Sequence, residues 1–420
     1  MLIPLSIVCG LVLLGLLIRS VIWTSRFVRE VKSSSRQVRV TPRPDAPRAI
    51  VVLPVRGLDP FLPRCIESLL NQDYPNYLLR IVIDSPDDPA VQVVEWATQL
   101  KLVEQVEVEY LSVARSTCGA KNSALLQVVE SLEEDDFAVV VVDSDVNAYS
   151  EWLSDLMHPL NDPDVGASTG MRWFTPASTE AGTLVRYLWN VGSIPEMTAS
   201  QIPFGGSVAY RRDVLEKGGL ASRWSESLFD DCVVPRILTR CNLKLKLVPR
   251  ATMANQETIS LDRCFTFLRR QMLNAICYSP AGNWILVASI SMSAGLLGAL
   301  GCLVAGIVQG DIAVIGTSGG SLFGFAAGMA GCTIALEMAL RPVLRETGQT
   351  VPRLPLKAFA LGGLTVATYT AASIAAYFVR TVDWRGIQYR RVGRDRFELV
   401  EHRPFSTSPA KRPQHEHASV

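Results

Sequence analysis

Hydrophobic residues along this 420-residue chain follow two patterns. Near the ends they run in unbroken blocks. Residues 2–18 (LIPLSIVCGLVLLGLLI) carry no charge, and Trp284–Val308, Ile312–Leu336 and Ala358–Val379 contain no Asp, Glu, Lys or Arg. A helix of about 20 apolar residues spans a bilayer. The first block reaches that length by running past Arg19, whose stem lets its charge snorkel, as far as Trp23. A cleaved signal peptide is the alternative, but the block lacks a basic n-region and a small-x-small cleavage site. The other three blocks are rich in Gly, Ala and Ser, which suits close helix packing in lipid. Three uncharged runs clustered at one end fit poorly with buried helices of a soluble protein.

Between these blocks, over about 45–280, short apolar runs alternate with helical periodicity. Ala49–Val55, Leu79–Ile83, Val106–Leu111 and Phe137–Val142 read as strands. Asp59–Leu70, Ala90–Leu100 and Ala120–Leu132 read as helices. Apolar strands separated by amphipathic helices predict an α/β domain with a mostly parallel sheet, covered on both faces. Ligands of such sheets bind beyond the carboxyl ends of the strands. Leu261–Ile276 places Phe265, Leu268, Met272 and Ile276 on one face. It reads as an amphipathic helix lying at the membrane interface, or else as a core helix of the α/β domain.

Charge orients the chain. Residues 19–48 hold eight Lys/Arg and two acids, the turn Gln309-Gly310-Asp311 has no basic residue, and loop 341–357 has four. The positive-inside rule places 19–283 and 341–357 in the cytoplasm. The tail from Arg380 is also basic, with nine Lys/Arg against five acids, yet three spans after a cytoplasmic domain would leave it outside. A break at Gly362-Gly363 would let the last segment re-enter and return the tail to the cytoplasm. Residues 404–420 read as a disordered end.

A net charge of +1 excludes the basic field of a nucleic-acid binder. The nine cysteines show no zinc or disulfide spacing. Three of the four histidines sit in the last 19 residues, which argues against His-based catalysis.

The candidate chemistry is acidic and lies at strand ends. AVVVVDSDVN, residues 138–147, runs four valines into Asp143 and Asp145. Residues i and i+2 of a strand point the same way, so these two carboxylates on one side of the strand end repel unless a cation lies near. Hard oxygen ligands suit Mg²⁺ or Mn²⁺ bridging a diphosphate. Asp-Ser-Asp is equally good turn chemistry. IVIDSPDDPA places Asp84 at the end of the second strand, within reach of a nucleobase or ribose, with Asp88 as N-cap and Pro89 at N1 of the next helix. Asp230-Asp231 is an acidic pair whose mutual repulsion can raise one pKa, or simply a helix start. Gly205-Gly206-Ser207 precedes a strand and permits close approach to a sugar or acceptor, or forms an ordinary loop.

Taken in order, AIVVLPVRGLDPFLPRCIESLLNQDYP, IVIDSPDDPA, VVVDSDVN, IPFGGSVAYRRDVL and SLFDDCVV resemble the blocks of ceramide glucosyltransferases. These are GT-A-type inverting glycosyltransferases of the family 2/21 group. The resemblance covers about 48–275. It implies a GT-A domain at 48–260 between an N-terminal membrane helix (1–25) with a basic linker (26–47) and an interfacial helix (261–280). A membrane region (281–380) and a basic tail (381–420) follow. It implies UDP-glucose as donor, a divalent metal, and a membrane-lipid acceptor, ceramide or diacylglycerol.

Position by position, the resemblance implies that Asp84 contacts uracil or ribose, that Asp143 and Asp145 hold the metal on the UDP diphosphate, and that Asp231 is the general base. Lys121 in GAKNSAL falls near the nucleotide, and Gly205, Gly206, Ser207 and Asp230 fall on the sugar and acceptor side. The family's (Q/R)xxRW motif is only half present: Arg270 matches its first position, but Leu273-Asn274 replace Arg-Trp. Arg269, Arg270 or a basic residue of WRGIQYRR is then left to supply the missing charge. A processive polysaccharide synthase shares the core but needs a translocation channel, which these few spans oppose. A non-catalytic scaffold is opposed by the retained aspartates.

Overall fold

The computed structural model describes residues 2–34, 44–99, 105–403 and 405. The stretch 406–420, most of the end read as disordered, lies outside these residues. In chain order the elements are α1 (Leu2–Ser34), β1 (Arg48–Val55), α2 (Leu62–Leu69), β2 (Tyr77–Ile83), α3 (Ala90–Gln99), β3 (Val106–Tyr110), α4 (Ala120–Val129), β4 (Asp136–Val142) and α5 (Trp152–Met157). Then come β5 (Val165–Thr169), β6 (Arg172–Phe174), α6 (Ala181–Ala199), β7 (Ser207–Arg211), α7 (Arg212–Leu215), α8 (Leu220–Trp224), α9 (Val234–Arg240), β8 (Lys244–Leu247), β9 (Met253–Asn255) and α10 (Leu261–Tyr278). The chain closes with α11 (Gly282–Gln309), α12 (Ile312–Glu346), α13 (Gly362–Tyr377), β10 (Thr381–Trp384), β11 (Ile387–Arg391) and β12 (Phe397–His402).

Seven strands form the central sheet in the order β3-β2-β1-β4-β7-β5-β8. All neighbours are parallel except β7, which runs antiparallel to both β4 and β5. Period-two alternation sends successive residues to opposite layers. Ile50, Val52, Val139 and Val141 enter one core, while Val51, Leu53, Val140 and Val142 enter the other. Both faces are covered, so the strands are uninterrupted apolar runs. Burying each of Val139–Val142 contributes roughly 1.5–3 kcal/mol.

Four helices are long and apolar enough to cross a membrane: Leu2–Ser34, Gly282–Gln309, Ile312–Glu346 and Leu356–Tyr377. The first continues through Ser34, into the stretch expected to be linker, because Phe27 and Val31 are buried against the end of α12 and the α/β domain.

The chain on either side of the fourth packs on the α/β domain. After α12, Gln349 bonds the backbone of Thr252 and Ala254, and Arg250 pairs with Glu346 at 2.5 Å. The chain is therefore back against the α/β domain. After α13, β10–β12 form an antiparallel sheet that packs on that same domain: Ala120 N–H donates to Tyr389 Oη (2.9 Å) and Leu399 N–H to the Ser116 carbonyl (2.8 Å). Residues 356–377 thus begin and end on one side. A 3₁₀ turn (Leu356–Leu361) breaks at Gly362, and the 16-residue α13 is about 24 Å long, short of the roughly 30 Å hydrocarbon core. A re-entrant path for this segment would remove the conflict between span count and tail charge.

The interfacial reading of Leu261–Ile276 is corrected. Leu268, Met272 and Ile276 are buried, and Cys264 and Leu268 share a cluster with Val185 of α6 and Ala372 of α13. The periodicity predicted an apolar face correctly; protein, not lipid, covers it.

Candidate active site

The sheet delivers the acidic residues to one cleft of about 190 Å³, whose wall includes Asp84, Lys121, Asp143, Asp230, Asp231 and Arg270. Asp143 follows directly on β4. It opens a turn, with Val146 N–H donating to its carbonyl, so Asp143 and Asp145 are turn neighbours rather than mates on one strand face. The two carboxylates still converge on one cation: Arg172 Nη2 lies 3.3 Å from Asp143 Oδ2 and 2.7 Å from Asp145 Oδ1. Asp145 does not reach the cleft wall; it sits behind Arg172, with Asn255 Nδ2 3.4 Å from Oδ2.

Lys121, in the first turn of α4, lies on the other side of Asp143. Its Nζ is 2.9 Å from Asp143 Oδ1, 3.2 Å from Asp230 Oδ2 and 3.0 Å from the Gly205 carbonyl. Burial alone would lower the Lys121 pKa, but the two carboxylates hold it well above its ordinary value. Burial would likewise raise Asp143, yet Lys121 and Arg172 keep it below the usual range. Asp145 is pushed up to about 6 by burial, with Asp143 and Asp59 adding to the rise and Arg172 opposing it. Asp230 is raised to about 6, first by burial and then by Asp231 and Asp143, against Lys121.

β7 lies beside β4, with Val142 opposite Ser207, which brings Gly205 and Gly206 against the carboxylates. A Cβ on Gly206 would lie 2.5 Å from Asp143 Oδ2, and one on Gly205 2.6 Å from Asp230 Oδ2. Glycine at both positions of the cleft wall lets the acids approach this closely. Ser207 is corrected as an acceptor-side residue: it is fully buried, accepts from Trp152 Nε1 and bonds the Ala251 carbonyl.

Asp231 precedes α9. Its Oδ1 accepts from its neighbour's backbone, Cys232 N–H (2.6 Å), and from Asn274 Nδ2 (2.7 Å). Asn274 occupies the position where the motif expects Trp, so the departure from the pattern places a donor on this carboxylate. Arg270, one helical turn earlier on α10, faces the cleft and forms no ion pair among the described residues. Burial, then Arg385 and Arg172, lower its pKa to about 10. Arg269 is exposed and off the site.

Asp84 stands at the end of β2, where the sequence put it. Arg56 Nη1 pairs with its Oδ2 and His402 Nε2 lies 3.0 Å from its Oδ1. Asp88 caps α3 through Ala90 N–H (2.8 Å), as expected, and also holds Gly57 N–H (2.8 Å). The β10–β11 turn brings Trp384 and Arg385 to the cleft wall, and Arg56 donates to the Arg385 carbonyl (2.9 and 3.0 Å). Arg56, Arg172 and His402 were not anticipated. Trp384 and Arg385 belong to WRGIQYRR, which the sequence offers beside Arg269 and Arg270 as a source of the missing charge. Arg172 in GMRWF carries no local signal, because its partners lie 27 and 29 residues away.

A second cavity of about 550 Å³ adjoins the first. It runs between α1, α6, α11, α12 and α13, with Leu16, Met292, Phe325 and Val366 on its walls, and shares Asp231, Gln271 and Asn274 with the cleft.

This sheet order, with acids at the carboxyl ends of β2 and β4, is the GT-A arrangement of glycosyltransferases. Among solved structures, the mannosyltransferase PcManGT from Pyrobaculum calidifontis, in complex with GDP-Man and Mn²⁺, shares the fold. Its TM-score is 0.52 at 14% identity, covering 87% of this chain and 99% of that one. Glucosyl-3-phosphoglycerate synthase from Mycobacterium tuberculosis is a looser likeness, with a TM-score of 0.37 at 15% identity, covering 59% of this chain and 83% of that one. The model of glycosyl transferase family 21 matches residues 12–395, and the chain belongs to that family. A ceramide glucosyltransferase of Komagataella phaffii is 33% identical over 64 residues, a match spanning 15% of this chain and only 12% of that relative's length.

Proposed function

We propose that the protein moves glucose from UDP-glucose to the hydroxyl of a membrane lipid, ceramide first among the acceptors, with its catalytic domain on the cytosolic face. One observation carries this reading: Asp231 stands on the wall of both the acidic cleft and the apolar cavity between the membrane helices. A nucleotide sugar suits the first and a lipid the second, and a carboxylate at their junction suits proton transfer between them.

Asp231 would take the acceptor's proton as the hydroxyl oxygen bonds to the sugar's anomeric carbon and the bond to UDP breaks from the opposite face. An alcohol is a poor nucleophile at neutral pH and needs such a base within hydrogen-bond reach. Asn274 and the Cys232 N–H hold Oδ1 of this carboxylate, which lines both cavities. Lys121 and Arg270 would meet the charge that develops on the departing diphosphate. Asp84, with Arg56 and His402 around it, suits polar recognition of the nucleoside.

The donor set fits a divalent cation. Two carboxylates already share one cationic group, and Asp145, raised to about 6, carries negative charge that its surroundings leave poorly compensated. No cluster of three or more His, Cys, Asp or Glu suited to a metal occurs among the described residues, so diphosphate and water oxygens would complete the shell. Held by Asp143 and Asp145, with Arg172 displaced, the cation would supply charge neutralisation to the leaving UDP.

The test is an assay of purified protein with UDP-glucose and Mn²⁺ in lipid nanodiscs, with mass identification of the product. Ceramide should accelerate UDP release and yield a hexosylceramide. Stimulation by diacylglycerol alone would reassign the acceptor, and no metal-dependent nucleotide binding would overturn the reading.

A further inference from the structure

The apolar cavity contains polar groups that the chain itself does not satisfy. Arg19 of α1 and Glu196 of α6 both line it. Arg19 Nη1 lies 3.9 Å from Glu196 Oε1, too far for a hydrogen bond. Arg19 Nε is shielded from solvent and has no hydrogen-bond partner, while the guanidinium lies 4.7 Å above the Trp23 ring. The Glu196 carboxylate makes no hydrogen bond among the described residues, and burial raises its pKa. The Tyr369 phenol of α13 lines the same cavity, near enough to Glu196 to feel its charge, and it too makes no hydrogen bond among the described residues.

Charged groups at membrane depth are costly and mark function unless they are fully paired. Here the pair is loose and its remaining capacity is directional. Glu196 accepts; Arg19 and Tyr369 donate. An ester-linked lipid offers carbonyl acceptors but, apart from its reacting hydroxyl, no donor. An amide offers both an N–H and a carbonyl oxygen. We propose that Arg19, Glu196 and Tyr369 form the acceptor headgroup site and select an amide-bearing lipid, Glu196 accepting from the amide N–H and Arg19 donating to the amide carbonyl. The proposal rests on the acceptor reading given above and adds the residues that set its specificity.

The test compares a short-chain ceramide, its N-methylated form and dioctanoylglycerol with the full-length protein in nanodiscs. Removing one hydrogen bond to a charged group costs on the order of ten-fold or more in affinity. With the wild-type protein, N-methylation should raise KM about ten-fold at nearly constant kcat. Glu196→Leu should raise KM for the ceramide by a similar factor, abolish the penalty for N-methylation, and leave KM for the glycerolipid unchanged. Glu196→Gln, whose amide oxygen still accepts, should restore most of the loss. UDP binding should be equal in all variants, which separates recognition from misfolding. Wild-type indifference to N-methylation overturns the proposal without using any variant, as does a Glu196→Leu effect equal for all lipids. Were the wild type to transfer sugar to none of these lipids, saturable binding of a fluorescent ceramide weakened by N-methylation would keep the site while sinking the acceptor reading; absence of such binding would sink both.

Discussion

Asn274 Nδ2 donates a 2.7 Å hydrogen bond to Asp231 Oδ1, across 43 residues of sequence. The bond holds one oxygen of a carboxylate that lines both cavities. Asp231→Asn should leave UDP-glucose affinity within about two-fold while lowering turnover by roughly 10²–10⁴, because a base is removed and no nucleotide ligand is. Asn274→Ala should cost about ten-fold in kcat with nucleotide affinity unchanged, since it frees the base to rotate. Calorimetric titration with UDP beside initial rates decides both; collapse of nucleotide affinity in Asp231→Asn would mean that this carboxylate binds the donor instead.

Asp145 and Asp230 are both raised to about 6 from an ordinary 3.8. Between those values the folded protein holds more protons than the unfolded chain, so the contribution of these groups to stability falls as pH rises through that window. Asp143 is shifted the other way, and its contribution is lost only below the ordinary carboxylate range. Ligand-free protein should therefore melt higher near pH 5 than near pH 7. Asp145→Asn with Asp230→Asn should flatten that difference. A melting temperature that climbs steadily from pH 5 to 7 in the wild type, and is unchanged by the double substitution, would contradict the assignment.

Asp145→Ala should weaken Mn²⁺-dependent UDP binding by at least about ten-fold while leaving metal-free binding nearly intact. Equal titrations with and without this side chain would remove it from the metal site and leave Asp143 to hold the cation.

Arg385 enters the cleft from the β10–β11 turn, next to Arg270. In the proposed reading it would supply the cation that the half-present motif lacks. Arg385→Ala should lower affinity for UDP about ten-fold and leave affinity for uridine unchanged, because only the diphosphate is lost as a partner. An equal loss for both ligands would show that Arg385 holds the Arg56 loop in place, through its bonds to the Arg56 carbonyl and Asp59, rather than touching phosphate.

A re-entrant path for α13 predicts accessibility. Cysteines introduced as Arg353→Cys and Arg394→Cys should react with an impermeant thiol reagent from the same side of a sealed vesicle, and Gly310→Cys from the other. Eight of the nine native cysteines are buried, which keeps the background low. Labelling of positions 353 and 394 from opposite sides would refute the topology.

Much of this was legible in the sequence, for a physical reason that also sets its limit. β1, β2 and β4 are buried on both faces, so composition alone marks them, and the acids that follow β2 and β4 are local signals. Helical periodicity in Leu261–Ile276 revealed an apolar face but could not say what covers it. Ile387–Arg391 alternates buried Ile387 and Tyr389 with exposed Gln388 and Arg390, a strand pattern obscured by the dense charge of the tail. The partners of Arg172, Asn274 and His402 are fixed by tertiary packing, and nothing in their neighbours announces them.

The contact between Asp84 and His402 joins residues 318 apart in the chain, with every membrane segment after the first inserted between them. During synthesis the sheet that carries Asp84 is complete long before the ribosome reaches β12. If Asp84 reads the nucleoside, as proposed, that recognition must wait until α11 and α12 have been threaded into lipid and the closing hairpin has come home. A nascent or misinserted chain would carry the aspartates of a transferase without the clasp that finishes its donor pocket, so competence to handle sugar is tied to correct installation in the membrane.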